Sequence, residues 1–175
     1  MKLCVRGKNV DNKMSERFEV VIVGGGMAGM TLGCGLAGCG IATAVIERLN
    51  PAKMNTSDFD GRTTSFAHGS AQVLKGIGLW PLIADAAEPI LDIRVADGHP
   101  SRGVSPLFLH YDHTEVGDDP FGYIIENRVV RGGLSQLAGQ LENLTIIAPA
   151  SVEAVERQAD GADVMIEDGR VLQTS

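Results

Sequence analysis

Three observations predict an α/β fold for this 175-residue chain. Residues 20–46 run for 27 positions without a charge and include eight glycines. Inside that run lies Gly24-Gly25-Gly26-Met27-Ala28-Gly29, a G-x-G-x-x-G, and the carboxylate of Glu47 follows Gly24 by 23 residues. Strand, glycine turn, helix, second strand and acid, in that order, are the pattern of a Rossmann-like dinucleotide-binding unit.

Each element has its own justification. Length alone would also fit a membrane span, which needs about 20 mostly apolar residues. A single helix, however, would carry all eight glycines, each about 1 kcal/mol worse than alanine, so the divided reading is preferred. Residues 18–23 (FEVVIV) have the composition and length of a buried strand. Gly24 then turns the chain, Gly26 admits a pyrophosphate close to the backbone, and Gly29 lets the helix pack on the strand. The helix is predicted over 27–39, with Gly40 as its left-handed cap. Residues 41–46 form the second strand. The helix N-terminus offers unpaired N–H groups and a partial positive charge, so a diphosphate can bind there without a basic side chain. Glu47 stands where an acid takes a ribose hydroxyl. Gly33 extends the glycine spacing and keeps the helix near the sheet, whereas Gly35 and Gly38 only lower helix propensity.

Composition narrows the function. Hydrophobic residues are 44% and charged residues 21%, and the net charge of −7 leaves no basic stripe for nucleic acid. Cys4, Cys34 and Cys39 lack metal-ligand spacing, and the two in the predicted helix read as small hydrophobes in a reduced, cytoplasmic setting. His110 and His113 are three apart, but no Cys or Glu completes a ligand set, so no metal site is assigned and a turn near Asp112 is expected. Ser65 and Ser70 lack a nucleophile elbow, which removes support for a hydrolase. The first residues are basic without an apolar stretch, so they are no secretory signal. Met14 precedes the first strand closely, and residues 1–15 read as a disordered extension.

Beyond Glu47 the chain departs from a simple nucleotide-binding domain. A polar loop is predicted over 48–65, then a helix over 66–77 with Val73, Leu74 and Ile77 inward, then a short helix from Leu79 to about Ala86. Residues 90–97 alternate, 107–111 are aromatic-rich, and 122–125 are strand-like, which together predict an inserted antiparallel layer. Val130, Leu134, Leu137 and Leu141 mark a helical stripe. Residues 144–148, 152–157 and 162–167 read as strands, Asp168-Gly169 as a two-residue hairpin turn, and 170–174 as the start of one more strand, at which the sequence stops in mid-sheet. The implied organisation is 16–88 as the first part of the nucleotide domain, 89–126 as the inserted layer, and 127–175 as its continuation.

The blocks VIVGGGMAGM, DGRTTS, LKGIGLW, DIRVADG, FGYIIENRVVRGGL and TIIAPASVEAV, in this order, resemble the ubiquinone-biosynthesis flavin hydroxylases, aromatic-ring FAD monooxygenases of the 2-polyprenyl-6-methoxyphenol hydroxylase type. The resemblance covers residues 16–175. It implies a Rossmann-like FAD-binding domain truncated before its second half, with NAD(P)H as co-substrate and a polyprenylated phenol as the molecule hydroxylated. It further implies that Gly24, Gly26, Ala28 and Gly29 hold the FAD pyrophosphate and that Glu47, flanked by Arg48, takes the adenosine ribose. Arg62 would approach the flavin side, Arg128 the phosphate or ribitol region, and Val152 the adenine. No side chain is implied as covalent nucleophile, and no catalytic residue is named. Other ubiquinone-biosynthesis proteins are the implied partners, with at most peripheral attachment to the inner membrane and no transmembrane segment. Gly132 and Gly133 depart from the family pattern inside a predicted helix. The family's second and third fingerprints, an Asp-Gly and a Gly-Asp motif, would fall beyond Ser175. The alternatives are a non-catalytic fragment that binds only adenine dinucleotide, or another FAD-dependent oxidoreductase.

Overall fold

The computed structural model describes residues 15–50 and 61–174. Residues 1–14 of the predicted N-terminal extension, Cys4 among them, and Asp60 lie outside these residues, as does most of the predicted 48–65 loop; Ser15, the last residue of that predicted extension, instead begins a strand. The chain divides into two compact units, Met1–Pro51 with Leu141–Ser175, and Ala52–Gln140.

The first unit is built on a parallel sheet. Strand β2 (Val20–Val23) pairs with β3 (Thr43–Ile46), which pairs with β9 (Leu144–Ile147). Helix α1 (Met27–Gly38) connects β2 to β3 and ends with Gly40 at φ +85°, as the sequence predicts. All four β3 residues are buried, which is why this stretch reads as continuously apolar rather than alternating. The one polar side chain among them, Thr43, satisfies its hydroxyl on the Ile41 carbonyl at 3.0 Å.

A second sheet in this unit has the order β1 (Ser15–Phe18), β12 (Val171–Thr174), β11 (Gly161–Ile166), β10 (Val152–Gln158). Ala44, Ile46 and Ile147 from the parallel sheet share one core cluster with Val164, Ile166 and Leu172 from this one, flanked by Phe18, Val21 and Val152. One expectation is corrected here. Residues 18–23 are not one strand: the chain changes sheets at Glu19, whose N–H donates to the Ala42 carbonyl at 2.9 Å while its carboxylate accepts the Ala42 N–H at 2.8 Å. Strand β12 is interior to its sheet, pairing with β1 on one side and β11 on the other. The Asp168-Gly169 turn is present, with Gly169 at φ +88° and the Asp168 carboxylate accepting the Arg170 backbone N–H at 3.0 Å.

In the second unit β4 (Thr63–Ala67), β8 (Gly122–Glu126) and β5 (Glu88–Ile90) form an antiparallel sheet in the order β4, β8, β5, and β6 (Asp92–His99) pairs with β7 (Gly103–Asp112) as a separate hairpin. The predicted inserted layer is therefore divided, because 122–125 pairs with β4 and β5 rather than with the hairpin. Residues 63–65, expected in a loop, begin β4, and Phe66 belongs to that strand rather than to the helix after it. That helix, α2 (His68–Gly76), buries Ala71 and Leu74, whereas Val73 is 54% exposed and does not face inward. Around Pro81 the predicted short helix is two 3-10 turns, Trp80–Leu82 and Ala84–Ala86. Helix α3 (Asn127–Ala138) buries Val130, Leu134 and Leu137 as the stripe predicts, and Leu141 lies past its end. Gly133 has a packing reason: a Cβ there would stand 2.8 Å from Ile83 Cγ2 and 3.1 Å from Leu79 Cδ1.

His110 and His113 lie at the end of β7 and in the turn after it, with His110 Nε2 against Asp92 Oδ1 and His113 Nδ1 3.2 Å from the Leu91 carbonyl. Among the described residues no helix is long and apolar enough to cross a membrane.

Candidate cofactor-binding site

The loop between β2 and α1 takes its shape from its glycines. Gly24 adopts φ +108°, a conformation that L side chains rarely adopt, and its N–H donates to the Ile46 carbonyl at 2.8 Å. That bond ties the loop's first residue to the end of β3. Gly29, in the first turn of α1, lies so close to the loop that a Cβ there would stand 1.9 Å from the Gly24 carbonyl oxygen. Gly33, one turn further, would place a Cβ 2.8 Å from Val45 Cγ2. The helix is thus held to the loop by Gly29 and to the sheet by Gly33.

The helix's own hydrogen-bond ladder begins with Met30 N–H on the Gly26 carbonyl at 2.9 Å. The amides before it have no intrahelical carbonyl. Gly26 is the N-cap, with no side-chain cap and no acidic residue in the first turn, so no charge within the helix itself offsets its positive end. A Cβ at Gly26 would meet nothing within 4 Å. Gly26 and Ala28 are exposed and leave clear ground for a ligand beside the backbone. These features fit a diphosphate, an anion that needs donors and close approach rather than a countercharged side chain.

Glu47 completes this cluster. It follows β3 directly, and its backbone is fixed by its N–H on the Ile147 carbonyl at 3.0 Å and by its carbonyl accepting the Ala150 N–H at 2.8 Å. Its carboxylate reaches the glycine loop, where Oε2 accepts the Gly25 N–H at 2.7 Å. Oε1 accepts the Leu49 N–H, also at 2.7 Å. Gly25 is a residue that sequence reasoning missed. It is buried, and a Cβ there would lie 2.7 Å from the Glu47 Cβ. The signal was the middle one of three consecutive glycines, at a position where the motif allows any residue.

The structure brings Gly24, Gly26, Ala28, Gly29 and Glu47 together around one loop. Arg48 is adjacent and exposed. Val152 opens β10 and is half-buried against the core shared by the two sheets. Arg62 and Arg128 belong to the second unit. There Asn127 links their segments: its N–H donates to the Arg62 carbonyl at 3.0 Å, and its side-chain oxygen accepts the Thr64 hydroxyl at 2.6 Å. Arg128 makes an ion pair with Glu126 through Nε. On the inward side of α1, burial pushes the Cys34 thiol up to about 11. Cys39, expected to be buried with it, is the exposed C-cap residue.

A family model described as FAD binding domain matches residues 17–154. The chain belongs to this FAD-binding domain family. Among curated relatives of this family member, the ubiquinone hydroxylase UbiL of Rhodospirillum rubrum is 40% identical over 155 residues, covering 89% of this chain and 35% of its own length. The 3-demethoxyubiquinol 3-hydroxylase of Escherichia coli is 31% identical, over 89% of this chain and 39% of its own length. Among solved structures, p-nitrophenol 4-monooxygenase PnpA from Pseudomonas putida superposes with a TM-score of 0.71 at 21% identity, over 91% of this chain and 40% of that one. That likeness shows a shared fold. The FAD-binding chain spans about a third of the length of the curated relatives it matches.

Proposed function

We propose that this chain is the adenine-dinucleotide-holding part of an FAD-dependent monooxygenase that hydroxylates a polyprenylated phenol in ubiquinone biosynthesis, using NAD(P)H and O₂. The observation that carries the reading is the Gly24–Gly29 loop with Glu47 beside it, in a chain 40% identical to a ubiquinone hydroxylase.

In this reading the amides around Gly26 and Ala28 hold the pyrophosphate, while Gly24 and Gly29 set the loop's approach to the helix. Glu47 binds the adenosine ribose, with Arg48 flanking it, and the β10 backbone at Val152 borders the adenine. Arg62 and Arg128 contact the flavin side and the phosphate or ribitol region, and Asn127 holds their two segments at a fixed spacing. Residues 89–126 open the substrate-binding layer. When bound, the flavin supplies hydride acceptance from NAD(P)H and activation of O₂, so that one oxygen atom enters the phenol ring and the other leaves as water. The protein's share is orientation and exclusion of bulk water. A polyprenylated substrate implies cytoplasmic protein working at the inner-membrane surface beside other ubiquinone-biosynthesis proteins.

A narrower reading rests on the glycine loop and Glu47 alone: binding of the adenine-nucleotide half of the cofactor by these residues without turnover. Expressing the gene in a bacterium that lacks a ubiquinone ring hydroxylase separates the two. Restored ubiquinone, measured by mass spectrometry of lipid extracts, supports the monooxygenase. If the chain binds nucleotide but the ring-hydroxylated product is not formed, the narrower reading holds.

A further inference from the structure

We infer that Glu47 is a positioning residue for the glycine loop itself, acting as a latch that holds the loop in shape independently of any nucleotide. Both carboxylate oxygens already accept backbone amides from two different segments. Oε2 takes Gly25 N–H from the loop, and Oε1 takes Leu49 N–H from the chain leaving β3, each at 2.7 Å. Hydrogen bonds to an ionised acceptor are short and roughly twice as strong as neutral ones.

The latch has a fixed root. Glu47 is pinned through its own N–H to Ile147 and through its carbonyl to Ala150, so the carboxylate projects from rigid backbone and imposes its position on Gly25. The fit is close on both sides, with the site of a Gly25 Cβ only 2.7 Å from the Glu47 Cβ. Gly25 is therefore the counterpart of the latch rather than a spacer between two motif glycines. With Gly24 N–H bound to Ile46, two successive loop amides are tied to the C-terminal end of β3, and those of Gly26 and the first helical turn are left to face a ligand.

This role goes beyond ribose binding and is compatible with it, because each carboxylate oxygen has lone pairs for more than one donor. It differs from ribose binding in what it predicts for the nucleotide-free protein. A residue that only binds ribose leaves the empty loop unchanged when it is replaced. A latch does not.

Amide hydrogen exchange, followed by NMR on the whole chain without nucleotide, tests this. In Glu47→Ala the Gly25 and Leu49 amides are expected to exchange faster on the order of tenfold or more, while the β3 amides, measured alongside, keep their wild-type rates. Glu47→Gln retains the side-chain shape and one carbonyl acceptor, so one of the two amides stays slow and the other accelerates. It also carries the test if the alanine variant fails to fold. Exchange at Gly25 and Leu49 within about twofold of wild type in a folded variant would overturn the inference. ADP binding, measured separately by calorimetry, keeps the two roles distinct. Loss of ADP binding with unchanged amide exchange leaves only the ribose role, whereas accelerated exchange in a chain that never binds ADP leaves only the latch.

Discussion

Replacing Gly29 by alanine should damage the site although it adds one methyl to a helix. The new Cβ would stand 1.9 Å from the Gly24 carbonyl oxygen and 3.1 Å from its carbon. A carbon approaches a carbonyl oxygen comfortably at about 3.3 Å, so loop and helix must separate by more than about 1 Å. Gly24 cannot readily yield, since its N–H is bound to Ile46 and its φ of +108° is already specialised. The movement therefore falls on α1, whose Gly33 is in close contact with Val45. Overpacking of this kind costs about 1–3 kcal/mol, offset by up to about 1 kcal/mol of helix propensity. The net loss should be about 1–2 kcal/mol, or a fall in Tm of roughly 2–8 °C for a chain of this size. Circular dichroism melting checks the stability, and calorimetric titration with ADP checks the site, where binding should weaken at least about tenfold. A variant that melts at or above the wild-type temperature and binds ADP normally would refute the close-approach argument.

Neighbouring glycines in α3 give a paired test of opposite sign. Gly132→Ala meets nothing within 4 Å and should stabilise the protein by up to about 1 kcal/mol, whereas Gly133→Ala strikes Ile83 and Leu79 and should be neutral to about 2 kcal/mol destabilising; chemical denaturation of both variants decides. With Cys4 replaced by serine, a thiol reagent at pH 8 should label exposed Cys39 quickly and buried Cys34 only on unfolding. Burial raises the Cys34 pKa to about 11, so the stability of its neutral form is fully present below about pH 9 and is lost as pH rises toward 11, a decline that Cys34→Ala should remove.

The glycine loop was legible in the sequence because its requirements are local. A positive φ at Gly24 and a helix pressed onto a loop at Gly29 can be met by few residues, so the pattern carries the geometry. Gly40 as a left-handed cap was legible for the same reason. Strand partnership is set by distant residues, and there the reading failed. Nothing within FEVVIV marks Glu19 as the point where the chain leaves one sheet for another, since the cause is its pairing with Ala42. Likewise 122–125 had two nearby strand-like runs to choose from, 90–97 and 107–111, and its pairing with β4 rests on tertiary packing, including the tight approach of Gly122 to the Phe66 carbonyl. In α2 Leu74 is buried as read, but Ala71, rather than Val73, shares its buried face. At the candidate site the motif glycines and Glu47 were readable, whereas the Gly25–Glu47 contact was not. It depends on a side chain crossing between two strand ends, which no spacing encodes.

The central claim is that the amides at the start of α1 receive a diphosphate while Glu47 holds the attached ribose. Titrating isotopically labelled chain with ADP and following backbone amide shifts tests it most directly. The account predicts saturable one-to-one binding, with the largest shifts at Gly25, Gly26, Met27, Ala28 and the amides flanking Glu47. Saturation whose shifts cluster elsewhere, or no saturable response to either ADP or FAD, would contradict it.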